Sequence, residues 1–236
     1  MKLTALFLIL FTASLCAQDS TGTVTDIDGN VYKTVKIGDQ WWMAENLKVT
    51  HYRNGDPIPN VTSDSAWVEL STGARCVFDN DESNAETYGY LYNWYAVNVD
   101  RGLAPQGWHI PSDEEWKQLE MVLGMSRSEA DDIGFRVTDE GGKIKATGTH
   151  EDGTGLWSAP NTGATNESCF SALPGGYRYD NDGTFRSMGD DAYFWSSTES
   201  GSNYAWNRSL HYDSSEVTRY HDVKQSGFSV RCLRDN

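Results

Sequence analysis

The sequence is poor in positive charge: 19 Lys and Arg stand against 34 Asp and Glu, a formal net charge of −15. That balance gives no footing on the phosphates of DNA or RNA and is repelled by anionic membrane surfaces, so nucleic acid is excluded as a partner. Proline is scarce, at 6 residues, and no tripeptide or heptad period runs through the chain, which excludes collagen and coiled coil. The four cysteines are too widely spaced for a zinc knuckle. Beyond the first seventeen residues no apolar run approaches the roughly 20 residues of a spanning helix, so no transmembrane segment is expected in the mature chain. HExxH, GxSxG, GxGxxG and P-loop patterns are also missing, and no catalytic residue is assigned.

Aromatics are plentiful. Nine Trp, twelve Tyr and eight Phe can bury a core that the modest aliphatic content could not. The first residues differ from the rest: Lys2 supplies a positive end, Leu3 to Leu15 is nearly all apolar, and Cys16-Ala17-Gln18-Asp19 turns small and polar. This is the pattern of a secretory signal peptide, residues 1–17, with cleavage near Ala17 and a secreted or cell-surface destination. Leu15, where a lipoprotein needs a small residue, argues against lipidation of Cys16. Cys76, Cys169 and Cys232 then remain. An exported chain can hold a disulfide, and three thiols allow one bridge in three pairings.

Along the mature chain, Thr21–Asn46 reads as strands, with Asp28-Gly29-Asn30 and Gly38-Asp39 as turns. Two helices are expected. Tyr88, Leu91, Tyr92 and Tyr95 have helical spacing over Tyr88–Val97. Ser112-Asp113-Glu114-Glu115 is a capping box, followed by Trp116, Leu119 and Leu123 on one face and Gly124 as a stop. A further turn of helix is expected near Ser128–Asp132. From Gly141 onward, turn signals punctuate short strands at Phe194-Trp195, Tyr204–Trp206, Leu210–Tyr212 and Phe228–Cys232. Strands, then helices, then strands make one α+β domain.

Several groups could carry chemistry. Asp26-Ile27-Asp28-Gly29 and Asp180-Asn181-Asp182-Gly183 lack EF-hand spacing and read as hairpin turns; no cofactor is required, though a calcium site built from distant oxygens stays open. His109 reads as a packed ring, and Asp113, Glu114 and Glu115 as acidic groups favouring a helix N-terminus. The aromatic C-terminal half is the most suggestive. Tyr204, Trp206, Asn207, Arg208 and Asp213 combine flat rings, which stack on sugar C–H faces, with groups that hydrogen-bond hydroxyls. They form the expected ligand-binding set; on a strand, Tyr204 and Trp206 would face one side and Asn207 the other.

Six ordered blocks resemble a known family. They are Ile37-Gly38-Asp39-Gln40-Trp41-Trp42-Met43-Ala44-Glu45-Asn46-Leu47, Tyr88 to Val97, Gly107-Trp108-His109-Ile110-Pro111-Ser112-Asp113-Glu114-Glu115-Trp116, Asn161 to Arg178, Phe194 to Glu199, and Gly227-Phe228-Ser229-Val230-Arg231-Cys232. Together, over residues 22–235, they resemble the Fibrobacter succinogenes major paralogous domain, which is distantly similar to the formylglycine-generating sulfatase-modifying domains. The resemblance implies a C-type-lectin-like α+β fold with two main helices, short antiparallel strands and long loops, in exported bacterial proteins, and no established activity. The redox cysteine pair of the formylglycine-generating enzymes has no counterpart here. Many relatives have Cys at the position of Ala104 and Gly at that of Cys169, which implies a Cys76–Cys232 disulfide and leaves Cys169 as the odd thiol.

The leading expectation is an exported, non-catalytic binding or surface-interaction module for a glycan or protein ligand, since such a scaffold carries function in its loops. The alternatives are an enzyme related to the sulfatase-modifying oxidases and a structural cell-envelope protein. The intact mass of the exported protein should correspond to a chain beginning just after Ala17; a product retaining Met1–Leu15, or carrying lipid on Cys16, would refute the cleavage site.

Overall fold

The computed structural model describes residues 20–235; the signal peptide expected over Met1–Ala17 lies outside them. Strands β1 (Thr21–Thr25) and β2 (Val31–Ile37) pair antiparallel across the Asp26–Asn30 turn, and β3 (Gln40–Met43) returns after Gly38. The first turn closes on Asp26, whose carboxylate accepts from the Asp28 and Asn30 backbone N–H groups and from the Asn30 amide at 2.9–3.0 Å. Gly29 supplies the φ of 85° that this turn demands.

The middle of the chain carries short pieces: α1 (Asp64–Val68), β4 (Arg75–Cys76), α2 (Ser83–Tyr88), β5 (Leu91–Tyr92), α3 (Trp94–Val97) and β6 (Trp108–His109). Then come α4 (Asp113–Val122), α5 (Arg127–Asp131) and α6 (Glu140–Ile144). The chain finishes in β7 (Gly175–Arg178), β8 (Phe185–Met188), β9 (Asp191–Gly201), β10 (Tyr204–His211), β11 (Thr218–Val223) and β12 (Leu233–Arg234). One five-stranded sheet has the order β1-β2-β3-β12-β6 and a second the order β11-β10-β9-β7-β8; β4 and β5 form a small third pair.

Strand accounts for 31% of the structure and helix for 18%, and the antiparallel sheets curl into half-barrels. This overturns the expected C-type-lectin-like α+β fold with two main helices. One of those helices forms. Ser112 and Glu115 cap each other's backbone N–H groups as the capping box predicts, and α4 runs for 10 residues behind them. Ser126 and Glu129 repeat the motif at α5, close to the expected turn. Tyr88–Val97 is not a helix. Gly89 has a φ of 73°, and a Cβ there would stand 2.6 Å from the Leu47 carbonyl oxygen. Leu91 and Tyr92 pair with Cys76 and Arg75, and Asn93 begins a new turn by accepting from the Ala96 N–H. Every residue from Tyr90 to Trp94 is buried, so the ring spacing belongs to a segment enclosed on all sides rather than to one helix face.

Other expectations are also corrected. Tyr204–Trp206 and Leu210–Tyr212 fall largely in one long strand, β10, while Phe228–Cys232 threads through the interior by isolated bridges such as Tyr92–Phe228 and Phe194–Ser229. Cys76 and Cys232 are free thiols, one in a small cluster with Trp67 and Phe78 and the other in the largest cluster, so the implied bridge between them is not formed.

The two large sheets meet through rings. Trp42 of β3, Trp116 of α4, Phe170 and Phe194 of β9 are all wholly buried, with centroid separations of 4.8 Å for Trp42–Trp116 and 5.8 Å for Trp116 to each Phe. Arg231 is also fully enclosed. Its guanidinium donates to the side chain of Asn46 and to the carbonyls of Met43, Phe170 and Ser171, tying the last block of the sequence to the first. Because Trp116 bridges both sheets, Trp116→Ala should lower unfolding free energy by about 3–5 kcal/mol in a denaturant titration; a midpoint near that of the parent would show the ring to be dispensable.

Candidate functional site

Residues on a strand alternate between the faces of a sheet, and β10 and β11 use this to do two different things. From β10, Asn207, Ser209 and His211 point to one face and Arg208 and Leu210 to the other. From β11, Thr218, Tyr220 and Asp222 share the first face, while Arg219 joins Arg208 on the second. Tyr193 of β9 and Tyr177 of β7 extend the first face, with Tyr179, Asp180 and Phe228 beside them. Together they wall a groove of about 380 Å³.

Rings dominate this groove. Tyr193 stacks on Phe228 with centroids 4.8 Å apart and 25° between planes, and Tyr177 leans on Tyr193 at 4.8 Å. Phe135 and Tyr220, 66% and 48% exposed, form its outer edge. Polar groups line it as well. The Asn207 amide donates to Asp222 at 2.7 Å, and Ser226 donates to Asp180 at 3.1 Å. His211 contacts Asp191 through Nδ1 at 2.8 Å. Burial pushes the Asp222 carboxyl up; the Asn207 hydrogen bond opposes this and the charge of Asp180 adds to it. Two buried oxygens of the wall, Asn207 Oδ1 and Thr218 Oγ1, have no hydrogen-bond partner. A buried polar atom left unpaired costs free energy, which sets these two oxygens apart from the rest of the wall.

The opposite face is closed by buried charge. Asp113 accepts from Arg208 at 2.8 Å and from Arg219 at 2.8 and 2.9 Å; Glu120 accepts from Arg208 at 2.5 Å and from Arg136 at 2.7 and 2.8 Å. All five side chains are nearly inaccessible to water. Burial by itself would raise the Asp113 carboxyl, but Arg219 and Arg208 outweigh it and hold it at about 2. Asp113 is thus more than a helix-start acid: it is the anchor that fixes α4 to β10 and β11.

Of the expected binding residues, Asn207 alone lines the groove. Arg208 is consumed by the ion cluster, and Trp206 lies under the Arg219 guanidinium at 3.7 Å. Tyr204 is 44% exposed at the start of β10, edge-on to His221, and Asp213 is exposed in the turn that follows the strand's other end. Trp206 and Asn207 do point to opposite faces, but Asn207 is enclosed in the groove wall rather than at an open edge. The rings of Tyr177, Tyr179 and Tyr220 went unassigned; the alternation Tyr177-Arg178-Tyr179 is the signal that could have found two of them. His109 is a bridge rather than a simple packed ring: it contacts Glu115 at 2.9 Å and Asp235 at 2.7 Å, and the Glu115 contact foremost raises its pKa. Among the described residues, no three His, Cys, Asp or Glu side chains gather as metal ligands. The Asp26 carboxylate is engaged within its hairpin, including by the Tyr32 hydroxyl, and Asp182 is engaged by Thr184 and Arg186.

A family model, the Fibrobacter succinogenes major domain, matches residues 35–234, from β2 to β12, and so includes α4, the ion cluster and the groove. No curated protein and no solved structure matches the chain.

The ion cluster makes stability depend on acid. The folded Asp113 carboxyl titrates at about 2, below its ordinary 3.8, so its contribution is present above pH ~4 and is lost as pH falls toward ~2. Asp113→Ala leaves Arg208 and Arg219 without their shared counter-charge and should cost about 3–5 kcal/mol. Its stability should also vary less with pH in that window, as read by denaturant titrations across the range.

Proposed function

This chain belongs to the Fibrobacter succinogenes major domain family, and we propose that it works as an exported, non-catalytic binding module whose tyrosine-lined groove takes a carbohydrate. The observation that carries the reading is the pairing, on one open face, of stacked rings with a fully buried amide whose oxygen has no partner. Rings offer flat apolar surface to sugar C–H faces, and Asn207, Asp180 and Asp222 offer acceptors to hydroxyl donors. The rigid body behind the groove suits recognition, since a wall already held in place pays little ordering entropy on binding. Export rests on the charged end, apolar run and small-residue exit of residues 1–17.

The alternative of an enzyme akin to the sulfatase-modifying oxidases would call on thiol or metal chemistry. Cys76 and Cys232 are buried in separate clusters, and burial pushes both thiols up, Cys76 to about 12, so neither is a ready thiolate.

The test is calorimetric titration of the exported protein with a panel of neutral, acidic and amino oligosaccharides. For any sugar that binds, Tyr220→Ala should weaken affinity while changing stability by no more than about 0.5 kcal/mol, as for ordinary surface changes. Tyr204→Ala, outside the groove, should leave affinity unchanged. The reverse pattern would move the site to the start of β10, around Tyr204, and a panel without binders would refute the carbohydrate reading.

A further inference from the structure

The groove carries two acidic side chains in its lining, Asp180 and Asp222. Neither forms an ion pair with a described residue; their polar contacts are with Ser226 and Asn207. No lysine or arginine is among the described residues that line it. Of the cations on neighbouring strands, Lys224 pairs with Glu199 and Arg219 with Asp113 on the far face, while Arg186 pairs with Asp182 and lies over the Tyr179 ring at 4.1 Å, at the rim of the groove. His221 stacks on Tyr220 at 4.9 Å, and His211 is held by Asp191.

A second observation points to a ligand and to its polarity. Asn207, a residue of the groove wall, is 0% exposed, and its Oδ1 has no partner among the described residues; that atom can only accept. Two acidic side chains and one unpartnered amide oxygen therefore belong to the wall of a ring-lined space that has no lysine or arginine among its described lining residues. A neutral sugar would satisfy the acceptors through hydroxyl donors but would leave the charge uncompensated. An ammonium group supplies three donors and the missing positive charge, and tyrosine faces attract it further.

Resting on the carbohydrate reading above, we propose that the groove selects a sugar bearing a protonated amine, an amino hexose or its oligomer, over the neutral counterpart. The hexose ring lies against the tyrosines, and its ammonium is held by Asp180, Asp222 and Asn207 Oδ1.

The experiment compares two tetramers of one backbone by calorimetry on the exported protein in mildly acidic buffer: a chitosan tetramer with free protonated amines, and a chitin tetramer whose amines are acetylated. The chitosan tetramer should bind at least about tenfold more tightly. Asp180→Asn and Asp222→Asn should each move the ratio toward parity with melting temperature unchanged. Should either variant fold poorly, added salt provides the second measurement, weakening the chitosan tetramer and leaving the chitin tetramer unaffected. Equal affinities, or a preference for the acetylated tetramer, would overturn this inference while leaving the carbohydrate reading intact. Failure of both tetramers and of the wider panel would refute that reading, and this inference with it.

Discussion

Two carboxylates, Asp113 and Glu120, hold three arginines in the interior, and the C-terminal half of the molecule is arranged around that contact. Asp113 and Glu120 project from α4, Arg208 from β10, Arg219 from β11 and Arg136 from the segment after α5. Ions this deeply buried are tolerated only when each is paired and hydrogen-bonded, and here the forked guanidiniums meet carboxylate oxygens at 2.5–2.9 Å. Such geometry does not slide. It sets the position of α4 on the sheet, and α4 in turn carries Trp116 into the rings that join the two sheets.

The same contact explains the groove. Strand alternation means that a sheet face fixed on one side has its opposite face fixed as well. With Arg208 and Arg219 locked to α4, the intervening Asn207, Ser209, Thr218 and Tyr220 are held outward in a set order. The pairings Asn207–Tyr220 and Ser209–Thr218 place a ring beside an amide and a hydroxyl beside a hydroxyl. These groove side chains therefore sit on strands, where side-chain positions are better defined than on a loop. Phe135 is different: it projects from the irregular segment after α5 and remains largely exposed at the groove's edge.

How much of this was legible depended on range. The capping box Ser112–Glu115 and the hairpin about Gly29 were readable because each is closed by hydrogen bonds between residues two to four apart. The burial of Trp116 followed from its place one turn inside that cap. Tyr88–Val97 misled because helical spacing of rings also arises when an irregular segment is buried on all sides. The Cys76–Cys232 pairing, taken from resemblance, did not survive placement of the two thiols in separate clusters. The expected binding set mixes the two faces of β10: Asn207 lines the groove, while Arg208, its neighbour, belongs to the ion cluster.

By itself the sequence determined what short-range chemistry controls: the strand-turn-strand start, the capped α4, a core built from aromatic rings, and a family resemblance spread over six ordered blocks. Only the tertiary structure decided which side of β10 and β11 faces inward. Alternation says that neighbours part, but not which of them meets the protein. That choice fell to Asp113 and Glu120, some ninety residues away in the chain, because a buried guanidinium must find its counter-charge wherever the fold brings one.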